Sequence, residues 1–126
     1  MTRKTAAPQA PAHLDDEGRR KWGEVLAILD DRGDTLDAGT LDAAAAYSLA
    51  WSRWTAAEQQ VNTLGAVVKS PAGFAVPNPY IAIAAAAQRQ MRQWGSELKL
   101  TPKGRGRKPD GSEESAVMGL LRETTT

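Results

Sequence analysis

The feature that most limits what this chain can fold into is an apolar stripe: Leu41, Ala44, Tyr47, Trp51, Trp54, Ala57, Val61 and Leu64. Steps of three and four put these residues on one side of an α-helix. Counted from Asp37 to Gly65, that helix is about 28 residues long, or roughly 40 Å at 1.5 Å per residue. It is long for a chain of 126 residues. A helix of this length carrying large aromatics is suited to pack against more than its own chain.

Shorter helices flank it. Asp15 suits an N-cap, with Asp16 and Glu17 at the positive end of the helix dipole and Leu14 placed to pack back on the first turn. Trp22, Val25, Leu26 and Leu29 then form one face, and Gly33 closes the helix. The segment Asp34-Thr35-Leu36-Asp37 reads as a turn. After Gly65, residues 66–69 and 74–76 read as short extended pieces around Ser70-Pro71-Ala72-Gly73, either a small hairpin or an irregular loop. Asn78-Pro79 is a strong helix start, and Tyr80, Ala84, Ala87, Met91, Trp94 and Leu98 mark the face of a third helix. Gln88, Arg89, Arg92, Gln93 and Glu97 make its other side. Thr101-Pro102 is a further cap signal, but Gly104 and Gly106 disfavour a helix behind it. The expected fold is all-α: a helical hairpin with a long central helix, then a third helix, in a core of residues 14–102 that also serves for oligomerisation. Residues 1–13 are expected to be a mobile arm, and residues 103–126 a basic then acidic flexible tail.

Several chemistries lack the residues they need. There is no Cys, and a single His, His13, in a Pro-rich stretch. Thiolate sites, His-based metal sites and nucleophilic triads are thereby excluded, and no phosphate-binding loop motif occurs. Asp15, Asp16, Glu17, Asp30, Asp31, Asp34 and Asp37 fit caps and turns better than a metal site. No cofactor is expected. No apolar run reaches membrane length and no secretory signal is visible, so the expectation is a soluble intracellular protein with no membrane partner.

The net charge of +1 conceals a segregation. Residues 15–42 carry nine acidic and four basic side chains, a net of −5, and residues 99–108 carry five basic and no acidic ones. Residues 109–126 return to −3. Local blocks such as these indicate partners better than the total does. Lys103-Gly104-Arg105-Gly106-Arg107-Lys108-Pro109 resembles an AT-hook, in which Arg side chains lie along a narrow minor groove and Gly permits close approach. A generic solvated basic linker is the competing description, and Lys99 adjoins the run. Arg19, Arg20 and Lys21 form a second cluster, either a DNA contact or a solvated face balancing local acids. Arg89 and Arg92 lie one turn apart on the polar side of the third helix. Tyr47, Trp51, Trp54 and Trp94 are candidates for a subunit interface, where Trp and Tyr are enriched. Val117, Leu120 and Leu121 form either a short docking helix for a partner groove or a tail with chance apolar residues.

In order, Pro11-Ala12-His13-Leu14, Trp22, Leu29, Gly33, Leu36-Asp37, Tyr47, Gly65, Gly73, Asn78-Pro79, Leu98-Lys99-Leu100-Thr101-Pro102 and Arg105 resemble a group of phage terminase small subunits. The resemblance spans most of the chain, from about Pro11 to Arg105. It departs at Gly104 and Gly106, where the family usually has a short helix of small residues and Arg. The resemblance implies a mainly helical, non-enzymatic protein in the cytoplasm of an infected or lysogenic bacterium. It implies a homo-oligomeric ring that binds the packaging region of double-stranded viral DNA and delivers it to the large ATPase and nuclease subunit. The alternative is a small transcriptional regulator that uses the first two helices as a helix-turn-helix and binds DNA as a dimer.

Overall fold

The computed structural model describes residues 8–102 together with 104 and 106. Three helices and one two-stranded hairpin follow in the order α1 (Asp16–Asp31), α2 (Ala38–Leu64), β1 (Val67–Lys69), β2 (Ala75–Pro77) and α3 (Pro79–Glu97). The all-α expectation holds, with the hairpin as the only sheet among the described residues.

Each helix begins on a side-chain cap. Asp15 Oδ1 accepts from the Gly18 N–H at 2.8 Å, Asp37 Oδ1 from Thr40 at 2.9 Å, and Asn78 Oδ1 from Tyr80 at 2.9 Å, with Pro79 in the first turn. These caps satisfy N–H groups that have no partner inside a helix. α1 ends with Gly33 at φ 82°, where the Asp34 N–H reaches back to Leu29 O at 3.0 Å. That is the left-handed closing turn favoured by Gly. The segment after Gly65 is a hairpin: Val68 pairs with Val76 in an antiparallel ladder, and Gly73 at φ 91° helps turn the chain. Asn78 ties its base, donating from Nδ2 to Gly65 O at 2.8 Å.

α1 lies antiparallel along the first half of α2. Asp15 meets Ser52 at one end, and Leu29 packs in one cluster with Ala43, Ala44 and Ala45 at the other. Leu14, Trp22, Val25, Leu26 and Leu98 complete this core, with Leu36, Leu41, Tyr47 and Leu49 partly buried against it. α3 returns along α2, so that Gly95 sits beside the Tyr47 ring. Beyond Ser52 the second half of α2 has α3 as its neighbour. The buried apolar residues there are Ala57, Ala84 and Ala87.

The expected stripe on α2 is only partly its buried face. Ala44 and Ala57 are buried, but so are Ala43, Ala45, Ser48, Ala50 and Ser52, and Leu64 is exposed. α2 is contacted from two sides, so small residues fill the seams and Tyr47, Trp51 and Trp54 stand half-buried at their rims. On α3, Ala84 and Ala87 are buried while Tyr80 and Trp94 are exposed. Residues 8–13, assigned from sequence to an arm, are attached: Pro8 O accepts from Trp22 Nε1 at 3.1 Å, and Ala10 packs on the core.

Candidate nucleic-acid interface

The first basic cluster lies in α1, among the acids that cap it. Arg20 donates from Nη2 to Glu17 at 2.6 Å and pairs also with Glu24, while Lys21 reaches Glu24 at 2.9 Å. Arg19 stands 3.8 Å from Asp16. The Arg20 hydrogen bond, then that of Trp51, holds the Glu17 carboxyl down to about 2, well below its usual 4.5. The Lys21 hydrogen bond holds Glu24 low as well. Exposed pairs like these are individually weak. Even so, an incoming phosphate would have to displace a carboxylate from each cation and remain beside it.

The aromatic residues of α2 adjoin this cluster. Trp51 Nε1 donates to Glu17 Oε2 at 2.8 Å, and Lys21 Nζ lies 3.8 Å from the centroid of the Trp51 ring. That distance allows a cation–π contact. Trp51 and Trp54 stack at an angle of 57° with centroids 5.6 Å apart, a tilted arrangement typical of aromatic pairs. Ser52 Oγ donates to both Asp15 oxygens at 2.6 Å. This bond, then that of Gly18, holds the Asp15 carboxyl below its usual range. Asp15 therefore caps α1 and fixes it to α2. Asp37 begins α2, and the Thr40 N–H holds its carboxyl low. A recognition helix entering DNA from that end would present a carboxylate first.

α3 offers the contrast. Arg89 and Arg92 are exposed, and among the described residues neither has an ion pair or a side-chain hydrogen bond. They border an open groove of about 310 Å³ lined also by Tyr47, Gln88, Met91 and Thr101. Among the described residues no acidic side chain lines it. Residues three apart on a helix are surface neighbours about 5–6 Å apart, so the two guanidinium groups repel each other. An anion held between them removes that repulsion and can accept paired N–H bonds from each.

The end of α3 is fixed by Arg32, which sequence alone did not single out. Its guanidinium donates to Leu98 O at 2.7 Å and Lys99 O at 2.6 Å, and pairs with Asp34 at 2.6 Å. Lys99 is held at φ 57° as Leu100 N–H closes onto Gly95 O at 2.8 Å. This is the same closing turn as at Gly33, made here with a residue that has a Cβ. A left-handed non-glycine residue costs about 1–2 kcal/mol. Thr101 Oγ1 then accepts from the Gly104 N–H at 3.1 Å. A Cβ on Gly104 would lie 2.5 Å from Ser96 O, so Gly104 lies close against α3.

Of the residues expected to bind DNA, Arg89 and Arg92 share one face, Lys99 lies on the turn after α3, and Arg19, Arg20 and Lys21 form a separate, acid-paired patch. Lys103, Arg105, Arg107, Lys108, Val117, Leu120 and Leu121 lie outside the described residues. Sequence inspection did not bring Tyr47, Gln88, Met91 and Thr101 together. The i, i+4 spacing of Gln88 and Arg92 was the available signal. Among the described residues no group of three His, Cys, Asp or Glu side chains is placed to hold a metal ion, and no helix is long and apolar enough to cross a membrane.

Among protein-family models, one described as phage terminase, small subunit, matches residues 18–114. Comparison with curated proteins and with solved structures gives no match.

Proposed function

The chain belongs to the phage terminase small-subunit family, whose role is in DNA packaging, and we infer that it binds double-stranded viral DNA through the arginine face of α3. It does so as a homo-oligomer and passes the DNA to the large terminase subunit. The observation that carries the DNA contact is the Arg89–Arg92 couple, which among the described residues has no ion-pair partner and borders a groove lined by no acid. Thr101 lines that groove, so the basic run Lys103, Arg105, Arg107 and Lys108 begins within two residues of it. Two weak phosphate-binding elements are thereby joined in one chain. Repetition in an oligomer raises their effective concentration. Contacts of this kind position DNA and give affinity, with little base readout.

The test is a salt titration of duplex binding followed by fluorescence anisotropy. Each neutralised phosphate contributes about 0.9 to the slope of log K against log salt. Replacing both Arg89 and Arg92 with Ala is expected to lower the slope by about 2. Replacing Arg19 and Arg20 should change it little, because those cations already hold carboxylates. A slope unchanged by the α3 pair and lowered by the α1 pair overturns the assignment.

A further inference from the structure

The arginine face of α3 carries charge that nothing beside it balances. Arg89 and Arg92 border a groove that, among the described residues, is lined by no carboxylate. Glu97, the one acid of α3, lines a separate cavity with Arg32 and Asp34. On α1, Glu17 and Glu24 are taken by Arg20 and Lys21. Past Thr101 the sequence adds more cations, Lys103, Arg105, Arg107 and Lys108. The next three charges are all negative: Asp110, Glu113 and Glu114.

The chain after α3 starts out on the same side as the arginines. Thr101 lines the groove itself. The Gly104 N–H donates to Thr101 Oγ1 at 3.1 Å, and a Cβ on Gly104 would lie 2.5 Å from Ser96 O, so Gly104 sits against Ser96. Ser96 follows Arg92 by four residues and Arg89 by seven, which puts all three on one face of the helix. Glu113 follows Thr101 by twelve positions, a link that can span at most about 40 Å. Acids tethered this closely meet the groove at an effective concentration in the millimolar range.

We propose that in the absence of DNA the arginine groove of α3 holds the chain's own acidic segment, residues 110–114, so that this segment and the duplex compete for one site. Carboxylates suit Arg89 and Arg92 as phosphate does, because each planar guanidinium offers paired N–H donors to two oxygens. The groove also has an apolar component for a peptide to cover. Tyr47 and Met91 are half-buried in its lining, and Val117, Met118, Leu120 and Leu121 follow the acids within seven residues. Pairing of the acids with the neighbouring basic run would leave Arg89 and Arg92 repelling each other, whereas seating them in the groove relieves that repulsion. The competition rests on the assignment of DNA to this face of α3; occupancy by the acidic segment does not.

The chain has no cysteine, so Ser112→Cys gives the full chain a single site for a nitroxide spin label. In DNA-free protein the label is expected to give the broad spectrum of a held side chain. The spectrum should sharpen when Arg89 and Arg92 are both replaced by Ala, and equally when Asp110→Asn, Glu113→Gln and Glu114→Gln neutralise the segment. Both arginines are exposed, and circular dichroism checks that each variant keeps its helices. A spectrum unchanged by loss of the arginines would overturn the proposal. The second readout is anisotropy of a labelled duplex at low salt. Neutralising the segment is expected to tighten binding about three- to tenfold, the scale of a few exposed ion pairs, and to have no effect once Arg89 and Arg92 are Ala. An equal gain in both backgrounds would place the acids elsewhere, on the basic run or as general repulsion of DNA, and would overturn the proposal too. A salt slope unchanged by Arg89→Ala and Arg92→Ala, with the label still released, refutes the DNA assignment alone. A lowered slope with the label unmoved refutes the tail site alone.

Discussion

Asn78 is the side chain on which the α2–α3 arm depends most directly, and its worth follows from its two bonds. It is 1% exposed. Its Oδ1 accepts from Tyr80 N–H at 2.9 Å and its Nδ2 donates to Gly65 O at 2.8 Å. Replacing an Asn cap with Ala costs about 1 kcal/mol. Loss of the second bond leaves a carbonyl short of its donor and adds about 1 kcal/mol. Asn78→Ala is therefore expected to destabilise the protein by about 2 kcal/mol, the sum of these contributions. Asn78→Ser keeps a cap and loses the clamp, for about half the loss. Asn78→Asp also keeps the cap, but points an oxygen at the Gly65 carbonyl and should cost more than Ser. Urea unfolding followed by Trp fluorescence gives these values, at one protein concentration because association shifts apparent stability. A loss below about 0.5 kcal/mol for Asn78→Ala would refute the reasoning, since that is smaller than one buried hydrogen bond. So would Ser and Ala variants of equal stability.

Stability should fall on acidification. Asp15 and Glu17 both have carboxyls held below their usual values. Their contribution is full above the unfolded-state value, 4.5 for Glu17, and is lost as pH falls toward about 2. Glu17→Gln should flatten the acid limb of a Tm-versus-pH curve, and an unaltered limb would exclude Glu17 as its source. Arg32→Ala should cost about 1–2 kcal/mol through its two bonds to the end of α3. Arg32→Lys should restore less than half of this, since an ammonium lacks the planar fork. Full rescue by Lys in urea unfolding would show that charge alone matters.

The helices were legible because their ends are written locally: Asp15, Asp37 and Asn78-Pro79 at the starts, Gly33 and Gly65 at the stops. The hairpin was left open in the sequence, because Val67–Lys69 and Ala75–Pro77 are too short to declare themselves. Tertiary bonding from Asn78 to Gly65 decides it. The buried side of α2 was legible only in part. Spacing shows that one face is apolar, but a helix contacted from two directions buries its Ala and Ser residues and leaves Tyr47, Trp51 and Trp54 at the edges. Arg89 and Arg92 could be found as a pair from their spacing. The pairing of Arg20 with Glu17 and Glu24 was also within reach, at i, i+3 and i, i+4. By contrast, Arg32 bonds residues 66 and 67 positions away, a link no local pattern carries.

The alanine seam of the arm has a consequence for how stability is distributed along the chain. Burial of Ala57, Ala84 and Ala87 removes far less apolar area from water than burial of Leu14, Trp22, Leu26 and Leu29. Amide protons near α1 are then released only by near-global unfolding, while those between Ala57 and Ala87 open in a smaller, cheaper fluctuation. Covering Ile81 and Ile83 would close that difference. Hydrogen exchange between Ala57 and Ala87 is therefore a gauge of whether anything covers that half of the molecule.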